Sequence, residues 1–591
     1  MSCCPPIAAS NSGRERMHSL LKICRRALPA TAPELGTTLH PVLQRVYAAR
    51  GIRTASDLAL GLERLAPVST LAGSEAAAQL LRQHREARVL IVGDFDADGA
   101  TSTALMVRAL RSWGFTAVDF LVPNRFEYGY GLTPEIVAVA AERVPALIVT
   151  VDNGISSNAG VAAARARGID VLITDHHLVG AVLPAANVIV NPNLPGSTFV
   201  SRALAGVGVA FYVCAALRRL LEALGELPVG AMPIANLLDL VALGTVADVV
   251  ALDANNRILV AQGLARIRAG RCVPGISAIL SVARRAQPEL IASDLGFAVA
   301  PRLNAAGRLT DMSIGIRCLL EDDASRAQAL AQELDVLNAQ RREIEADMQL
   351  QALAAVRSLG DPRCSTQRAG VCLYDASWHQ GVVGLVAGRV KERLRRPVIA
   401  FAKADARTLR GSARSVPGVH VRDVLEAIAT REPQLVEKFG GHAMAAGLSL
   451  PLENLDRFAR AFDSEVARVM AGIEGGDGIE TDGELAWDQI ALPLAETLRG
   501  AGPWGAGFPE PLFDGLFELR GARVVGERHL KFQVLAQEGR GGFEAIAFNS
   551  IDPLQPAPLP AGQRRLVYRL GTNDYRGERR LQLVVEHMLA P

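Results

Sequence analysis

The sequence predicts an α/β protein: a mostly parallel-sheet domain joined by a long helix to a smaller α/β domain, followed by a C-terminal β-barrel. Three observations predict it. Short apolar runs alternate with Ala-rich helical segments from about Glu75 to Val250, which is the pattern of repeated βα units around buried parallel strands. The stretch Ala324 to Ser358 holds neither Gly nor Pro and is dominated by Ala, Leu, Gln, Glu and Arg. Past Gly478 the helical period gives way to five closely spaced β-runs.

The chain has 591 residues, room for roughly three or four domains at ~150 residues each. With 49% hydrophobic and 21% charged residues it is an ordinary globular composition. A formal net charge of +2 gives no global field that would hold nucleic acid, so any basic surface must be local. Eight scattered cysteines without a CxxC pair suit reduced thiols in a cytoplasmic protein, not a disulfide framework or a zinc site. No apolar run reaches the ~20 residues of a membrane span, and the basic N-terminus lacks the apolar segment of a secretory signal. A soluble cytoplasmic protein is expected.

Residues 1–70 contain Pro, Ala and Arg with short helical pieces such as Pro41 to Ala49, and are expected to form an N-terminal extension. Strands follow at Val89–Val92, Val118–Val122, Ala146–Val151, Val171–Thr174 and Val188–Val190, with helices such as Pro134–Arg143 and Ala159–Gly168 between them. Ala324–Ser358 predicts a connector helix of about 50 Å at ~1.5 Å per residue. A second α/β region spans about Val371 to Met470, and a Gly-rich break at Gly472–Gly478 precedes the last segment. There, Phe517–Gly526, His529–Ala536, Phe543–Phe548, Arg565–Thr572 and Leu581–His587 read as strands, separated by turns at Glu538–Gly542 and Asn573–Gly577. Five short strands suggest a small barrel of the OB type. Arg520, Arg523, Arg528, Lys531, Arg569, Arg576, Arg579 and Arg580 interleave with Phe532, Phe548, Tyr568 and Tyr575, a mixture that suits phosphate contacts and base stacking on single-stranded nucleic acid.

The chemistry concentrates at strand ends. Leu90 to Ala104 reads LIVGDFDADGATSTA: a buried strand breaks at Gly93 into Asp94, Asp96 and Asp98, and a small-residue helix follows. Carboxylates this close repel one another unless cations neutralise them, and open α/β sheets place ligands at the carboxyl ends of strands. Later segments also end in potential ligands: Asp152-Asn153-Gly154, Asp175-His176-His177, and Asp248 after the helical run Leu237–Val246. A mixed Asp/His set suits a pair of divalent cations, with imidazole favouring Mn²⁺ or Zn²⁺ over Mg²⁺. Two such ions ~3.5–4 Å apart can activate a water and stabilise both oxygens of a phosphoryl transfer. No Ser-His-Asp arrangement and no GxxxxGK[ST] loop competes, so the site reads as metal-assisted phosphoester hydrolysis.

VGDFDADG, VDNG, TDHH and GTVADVV, in this order, resemble the four motifs of the DHH phosphoesterase superfamily. Beyond them, PNRFEYGYG (123–131), PRLNAAGR (301–308), HQGVVGLVAGRV (379–390), GSARS (411–415), FGGHAMAAG (439–447) and GPWGAGFPEP (502–511) resemble the bacterial RecJ exonuclease family, from about residue 70 to the end of the chain. The resemblance implies a DHH catalytic domain (71–320), a connecting helix (321–360), a DHH-associated domain (361–472) and an OB-fold (478–591). It implies that Asp96, Asp98, Asp152, His176 and Asp248 hold two Mn²⁺ or Mg²⁺ ions, with Asp152 as the bridge. His177 is implied to lie beside them, as a ligand or against the reacting phosphate. Many superfamily members carry a His four residues before the middle Asp of the first motif; that position is Val92 here, so either Asp94 fills the vacancy or one ion is held more loosely. Arg125, Arg308, Gln340, Ser412 and Arg414 are implied as 5′-phosphate contacts, His442 as a residue facing the scissile phosphate, and Arg302 as a structural anchor. Arg matches phosphate because its guanidinium makes bidentate, charge-assisted bonds.

The implied activity is 5′→3′ exonucleolytic hydrolysis of single-stranded DNA to 5′-mononucleotides, in DNA recombination and repair. The strand would enter a passage between the two α/β domains too narrow for a duplex, with the OB-fold gripping it away from the cut. A monomer working with single-strand-binding protein and a RecQ-type helicase is implied. Two alternatives are weaker. Another DHH hydrolase, such as a pyrophosphatase or oligoribonuclease, needs no barrel of this size, and an inactive DNA-binding scaffold would have lost ligands that this chain keeps.

Overall fold

The computed structural model describes residues 22–124, 131–358, 368–472, 478–526, 528–535, 542–551, 558–575 and 578–591. The chain divides into two compact units, Met1–Ala300 with Gly476–Pro591, and Pro301–Gly475.

The first unit opens with strand β1 (Lys22–Arg25) and the helix Pro41–Ala48. Its main sheet contains β2 (Arg88–Gly93), β3 (Ala117–Leu121), β4 (Leu147–Val151), β5 (Asp170–Thr174) and β6 (Val188–Val190) in the order β3-β2-β4-β5-β6. Every pairing is parallel. All five residues of β4 and all but the first of β2 are buried, as a sheet covered on both faces requires. The register aligns Gly93 with Val151 and Val151 with Thr174, so the residues after these three strands emerge along one edge. Three helices, Ala97–Ser112, Gly206–Ala223 and Leu238–Ala247, pack on one another beside that edge.

The second unit begins with the helix Ala300–Leu309 and includes the 35-residue helix Ala324–Ser358. The unit boundary falls at Pro301, before residue 320, where the end of the first domain was expected. The reason is local packing: Ser313–Leu320 packs on the long helix, and Arg302 donates from Nε to Asp335 Oδ1 at 2.8 Å. This unit's sheet has the order β10-β11-β9-β8-β7, from β7 (Val371–Tyr374), β8 (Val398–Lys403), β9 (Thr408–Arg414), β10 (Lys438–Gly441) and β11 (Ala445–Pro451). Only β7 and β8 pair in parallel. Leu409, Ala413, Phe458 and Phe462 contribute to its core.

The chain then returns to the first unit. Strand β12 (Gly478–Thr481) pairs in parallel with β1, and Arg50 from the N-terminal region meets Asp482 through bonds of 2.6 and 3.0 Å. Tyr47 donates its hydroxyl to Ala501 O at 2.7 Å. The segment expected as an extension is thus bound into the fold from Lys22 onward. Val42, Leu43, Val46 and Tyr47 form one buried stripe of a two-turn helix, too short to stand out from composition.

The last strands, β13 (Phe513–Val525), β14 (His529–Leu535), β15 (Gly542–Ala547), β16 (Gly562–Tyr575) and β17 (Glu578–Leu589), close into a barrel in the order β13-β14-β15-β17-β16. Two of the aromatics expected to stack on bases do not face solvent. Phe532 and Tyr568 are buried with Phe513 and Phe517, because the period-2 alternation turns them into a barrel that large side chains must fill. Phe548 is 53% exposed. Arg576 and the turn residues Glu538–Gly541 lie outside the described residues.

Candidate metal centre and phosphate-binding surface

Four segments of the first unit deliver the carboxylate–imidazole cluster. After β2 the chain turns through Asp94, and Asp96 caps the next helix, its Oδ1 accepting from Asp98 N and Gly99 N, both at 3.0 Å. The turn requires glycine at 99, since a Cβ there would lie 2.6 Å from Asp94 O. Asp98 points the other way and accepts from Gly206 N at 2.7 Å and Val207 N at 2.9 Å, capping the helix Gly206–Ala223. After β4, Asp152 adopts φ +62°, a left-handed conformation that a non-glycine residue rarely takes, and its side chain is buried. Asn153 fixes the turn by donating to Val92 O at 3.1 Å and Val151 O at 2.9 Å.

After β5 come Asp175, His176 and His177. His176 Nε2 lies 3.1 Å from Asp152 Oδ1 and 3.5 Å from Asp248 Oδ2. Asp248 stands at the C-terminus of the helix Leu238–Ala247, where the helix dipole already presents negative charge. His177 stacks obliquely on His176, ring centroids 4.6 Å apart. Ligand atoms of three overlapping sets (Asp152, His176, His177; Asp98, His176, Asp248; Asp94, Asp96, Asp152) lie within 4.8 Å of one another in each set. All seven residues expected at the metal centre therefore meet in one place.

The electrostatics of the cluster call for a cation. Burial, then the neighbouring Asp96 charge, pushes the Asp98 carboxyl up to about 7. Burial first, and then the Asp98 charge, holds Asp152 and Asp248 well above the carboxylate range. Burial alone would lower His177, but its 2.7 Å contact with Asp175 lifts it to about 9. Burial would likewise raise Asp175, yet the bond to His177 and the Ile155 N–H hold it below the ordinary carboxylate value. Several like charges packed beyond the reach of water fit divalent cations, which replace repulsion with coordination; hard oxygen donors and one or two imidazoles suit Mn²⁺ and Mg²⁺.

Several residues that support the site were given no role of their own from the sequence. Asp175 is the carboxylate behind the histidines: it accepts from the backbone of His176 (2.7 Å) and His177 (3.1 Å) and engages His177 Nδ1. Asn191 and Asn193 donate to the His177 and His176 carbonyls at 2.9 and 2.7 Å. Gly206 and Gly244 are close-approach positions, where a Cβ would lie 2.5 Å from Asp152 Oδ1 and 2.8 Å from Asp98 Oδ1. The motif spelling contained Asp175; the others become visible only when distant segments pack.

In the second unit, Ser412 and Arg414 share a face of β9, and Arg414 Nη1 donates to Ser412 Oγ at 2.9 Å. The first turn of the helix Val383–Leu394 approaches them at Gly384, where a Cβ would lie 2.9 Å from Ser412 Oγ. Guanidinium, hydroxyl and helix N-terminus are the kinds of donor that an anion takes. Arg308 donates to Gly381 O at 3.3 Å. His442 is exposed on the turn joining β10 and β11, where Gly441 takes φ +142°. Gln340 is exposed on the long helix and makes no side-chain hydrogen bond among the described residues, so the structure does not join it to the Ser412–Arg414 pair. Arg302 is an anchor on Asp335. Arg125 lies outside the described residues.

A parallel sheet presenting Asp, Asp and Asp-His-His at one edge, completed by Asp248 from a helix, defines a DHH-type metal-dependent phosphoesterase. The DHH family N-terminal domain matches residues 88–245, the DHHA1 domain residues 367–468, and the RecJ OB domain residues 481–587. The chain is 53% identical over 568 residues to the single-stranded-DNA-specific exonuclease RecJ of Dickeya dadantii (strain 3937), covering 95% of this chain and 98% of that one. It is 51% identical over 577 residues to the protein of the same description from Escherichia coli (strain K12), covering 97% and 100%. Crystallographic RecJ from Thermus thermophilus in complex with Mn²⁺ superposes with a TM-score of 0.79 at 29% identity, covering 97% of this chain and 80% of that one. The chain belongs to the RecJ family of exonucleases.

Proposed function

We propose that this chain is a single-stranded-DNA-specific 5′→3′ exonuclease that releases 5′-mononucleotides by metal-dependent phosphodiester hydrolysis in DNA recombination and repair. The observation that carries the reading is the convergence of Asp94, Asp96, Asp98, Asp152, His176, His177 and Asp248, from four separate segments, into one cluster whose Asp94, Asp98 and Asp152 are buried. The descriptions of its relatives and the Mn²⁺ and Mg²⁺ complexes of the Thermus thermophilus protein support the substrate and the cofactor.

In this reading Asp94, Asp96, Asp98, Asp152, His176 and Asp248 would hold two divalent cations. The cations, when bound, supply a nucleophile at neutral pH and stabilise charge on the phosphate oxygens. Asp98 additionally locks the helix Gly206–Ala223 against the cluster. Asp175 occupies His177 Nδ1, so Nε2 is the ring nitrogen for a ligand or a phosphate oxygen. Arg308, Ser412 and Arg414 bind the 5′-phosphate, with Arg125, Gln340 and His442 completing the contact to the strand end. The domain division is DHH domain 71–320, connector 321–360, DHH-associated domain 361–472 and OB-fold 478–591, with residues 1–70 ahead of them. The barrel holds the strand away from the cut through phosphate contacts. The chain acts as a cytoplasmic monomer with single-strand-binding protein and a RecQ-type helicase. Among the described residues no helix is long and apolar enough to cross a membrane.

The test uses a 5′-phosphorylated single strand labelled at its 3′ end, with Mn²⁺ or Mg²⁺. Wild type should shorten it progressively and spare a blunt duplex, and Asp152→Ala should leave both intact. Degradation by purified Asp152→Ala would remove the metal assignment, and binding without cleavage by wild type would favour a scaffold.

A further inference from the structure

The first unit leaves an unusual set of apolar side chains in water beside its most polar site. Leu178, directly after His177, is 59% exposed, and Val249, directly after Asp248, is 70% exposed. Val249 also takes φ +61°, a conformation unfavourable for a β-branched residue. Phe297 is 84% exposed, whereas Trp113, Phe199 and Tyr212 of the same unit are buried. It sits in a single π-turn, Leu295–Val299, closed by Ala300 N–H donating to Leu295 O. Such turns insert an extra residue into a helix and recur at functional sites. Leu295, Ala298 and Val299 are buried, so the turn is anchored while Phe297 is turned out.

The turn's position ties it to the chemistry. It packs on the helix Leu238–Ala247 that ends at Asp248: a Cβ on Gly296 would lie 3.3 Å from Val246 Cγ1. In sequence it runs directly into the helix Ala300–Leu309, which carries Arg302 and Arg308. Cations and guanidiniums account for the phosphates of a strand and leave its bases without a partner. An exposed aromatic face is what an unstacked base would meet, and stacking is indifferent to which base it is.

We propose that Phe297, on the turn packed against the helix that ends at Asp248, is the surface on which a nucleobase of the substrate strand packs. This rests on the single-strand exonuclease reading above. Phe297 positions the strand, and the reacting atoms are left to the carboxylate–imidazole cluster.

The experiment compares wild type, Phe297→Ala and Phe297→Trp on a 5′-phosphorylated strand and on the same strand with abasic sites at its first three nucleotides. Retention of the Mn²⁺-induced rise in Tm shows that each variant keeps its metal centre. For Phe297→Ala, KM on the ordinary strand should rise roughly 5- to 160-fold, the range for losing one aromatic–base stack, with kcat little changed. Phe297→Trp should restore KM. On the abasic strand wild type and Phe297→Ala should become equal. An unchanged KM for Phe297→Ala, or an equal loss on both strands, would overturn the proposal. Failure of wild type to cleave the ordinary strand would instead refute the exonuclease reading.

Discussion

The metal centre and the C-terminal barrel belong to one compact unit, yet they manage charge in opposite ways. At the centre, like charges are gathered out of water: Asp98, Asp152 and Asp175 are all buried, and Asp98 and Asp152 repel each other. On the barrel, opposite charges meet at the surface, as in Lys531 with Glu544 (2.8 Å), Arg569 with Glu510 (2.7 Å) and Arg579 with Glu289 (2.6 Å). These barrel pairs are satisfied within the protein. At the centre the carboxylates crowd one another even with His176 and His177 beside them. Residues that fold alone would not keep together are the better signpost to function, and basic residues on a barrel say little until their partners are known. Arg520, Arg523 and Arg528 are exposed and without a side-chain partner among the described residues, so they are the barrel's available cations.

Removing a charge from the centre tests this contrast most severely. Asp152→Asn should lower exonuclease turnover on the order of 10³-fold or more, while raising the Tm of the metal-free protein by roughly a few degrees as the repulsion is relieved. Scanning calorimetry in chelator together with a nuclease assay checks both; a lower metal-free Tm would mean that Asp152 stabilises the fold. Next in size, Asp175→Asn should cost about 10- to 100-fold in Mn²⁺ affinity or activity, because His177 loses the group that orients it. Titration of Mn²⁺ against activity measures it.

The pH dependence follows from the same crowding. Asp98 (about 7), Asp152 and Asp248 have raised carboxyl pKa values, so in the window above the ordinary carboxylate value the metal-free folded protein keeps protons that the unfolded chain has released. The unfolded state binds fewer protons there, and stability falls as pH rises through about 7. His177, at about 9, adds to the fall at higher pH, since its stabilising charge is lost as pH passes that value. Mn²⁺ takes the place of the protons, so its increment in Tm should be larger near pH ~8 than near pH ~5.5. An increment that shrinks with pH would detach the shifts from the metal site.

On the barrel, Arg520→Gln, Arg523→Gln and Arg528→Gln combined should leave Tm within about 1 °C of wild type and reduce the salt slope of single-strand binding by roughly 2, at ~0.7 per phosphate contact. Fluorescence anisotropy across a salt series reads it, and Arg569→Gln, already paired with Glu510 and Glu586, should move the slope less. The smallest expected effect is that of Phe548→Ala, which removes an exposed ring and should change Tm by less than about 1 °C.

The strands and the residues at their ends could be read from the chain alone. Runs such as Leu147–Val151 are apolar throughout because both faces of a parallel sheet are covered, and Asp94, Asp152 and Asp175 follow such runs directly. The long helix was legible in the absence of Gly and Pro from Ala324 to Ser358. Which of these residues meet was settled by packing between distant segments. That Asp98 holds the N-terminus of a helix 108 residues away, that Gly206 and Gly244 must lack side chains, and that Asn191 and Asn193 support the two histidines are facts of that kind. The same holds for the orientation of Phe532 and Tyr568 into the barrel and for the anchoring of the N-terminal helix by Arg50 and Tyr47. Local patterns report what each segment does to water; which charges, rings and glycines share a site depends on contacts that span hundreds of residues.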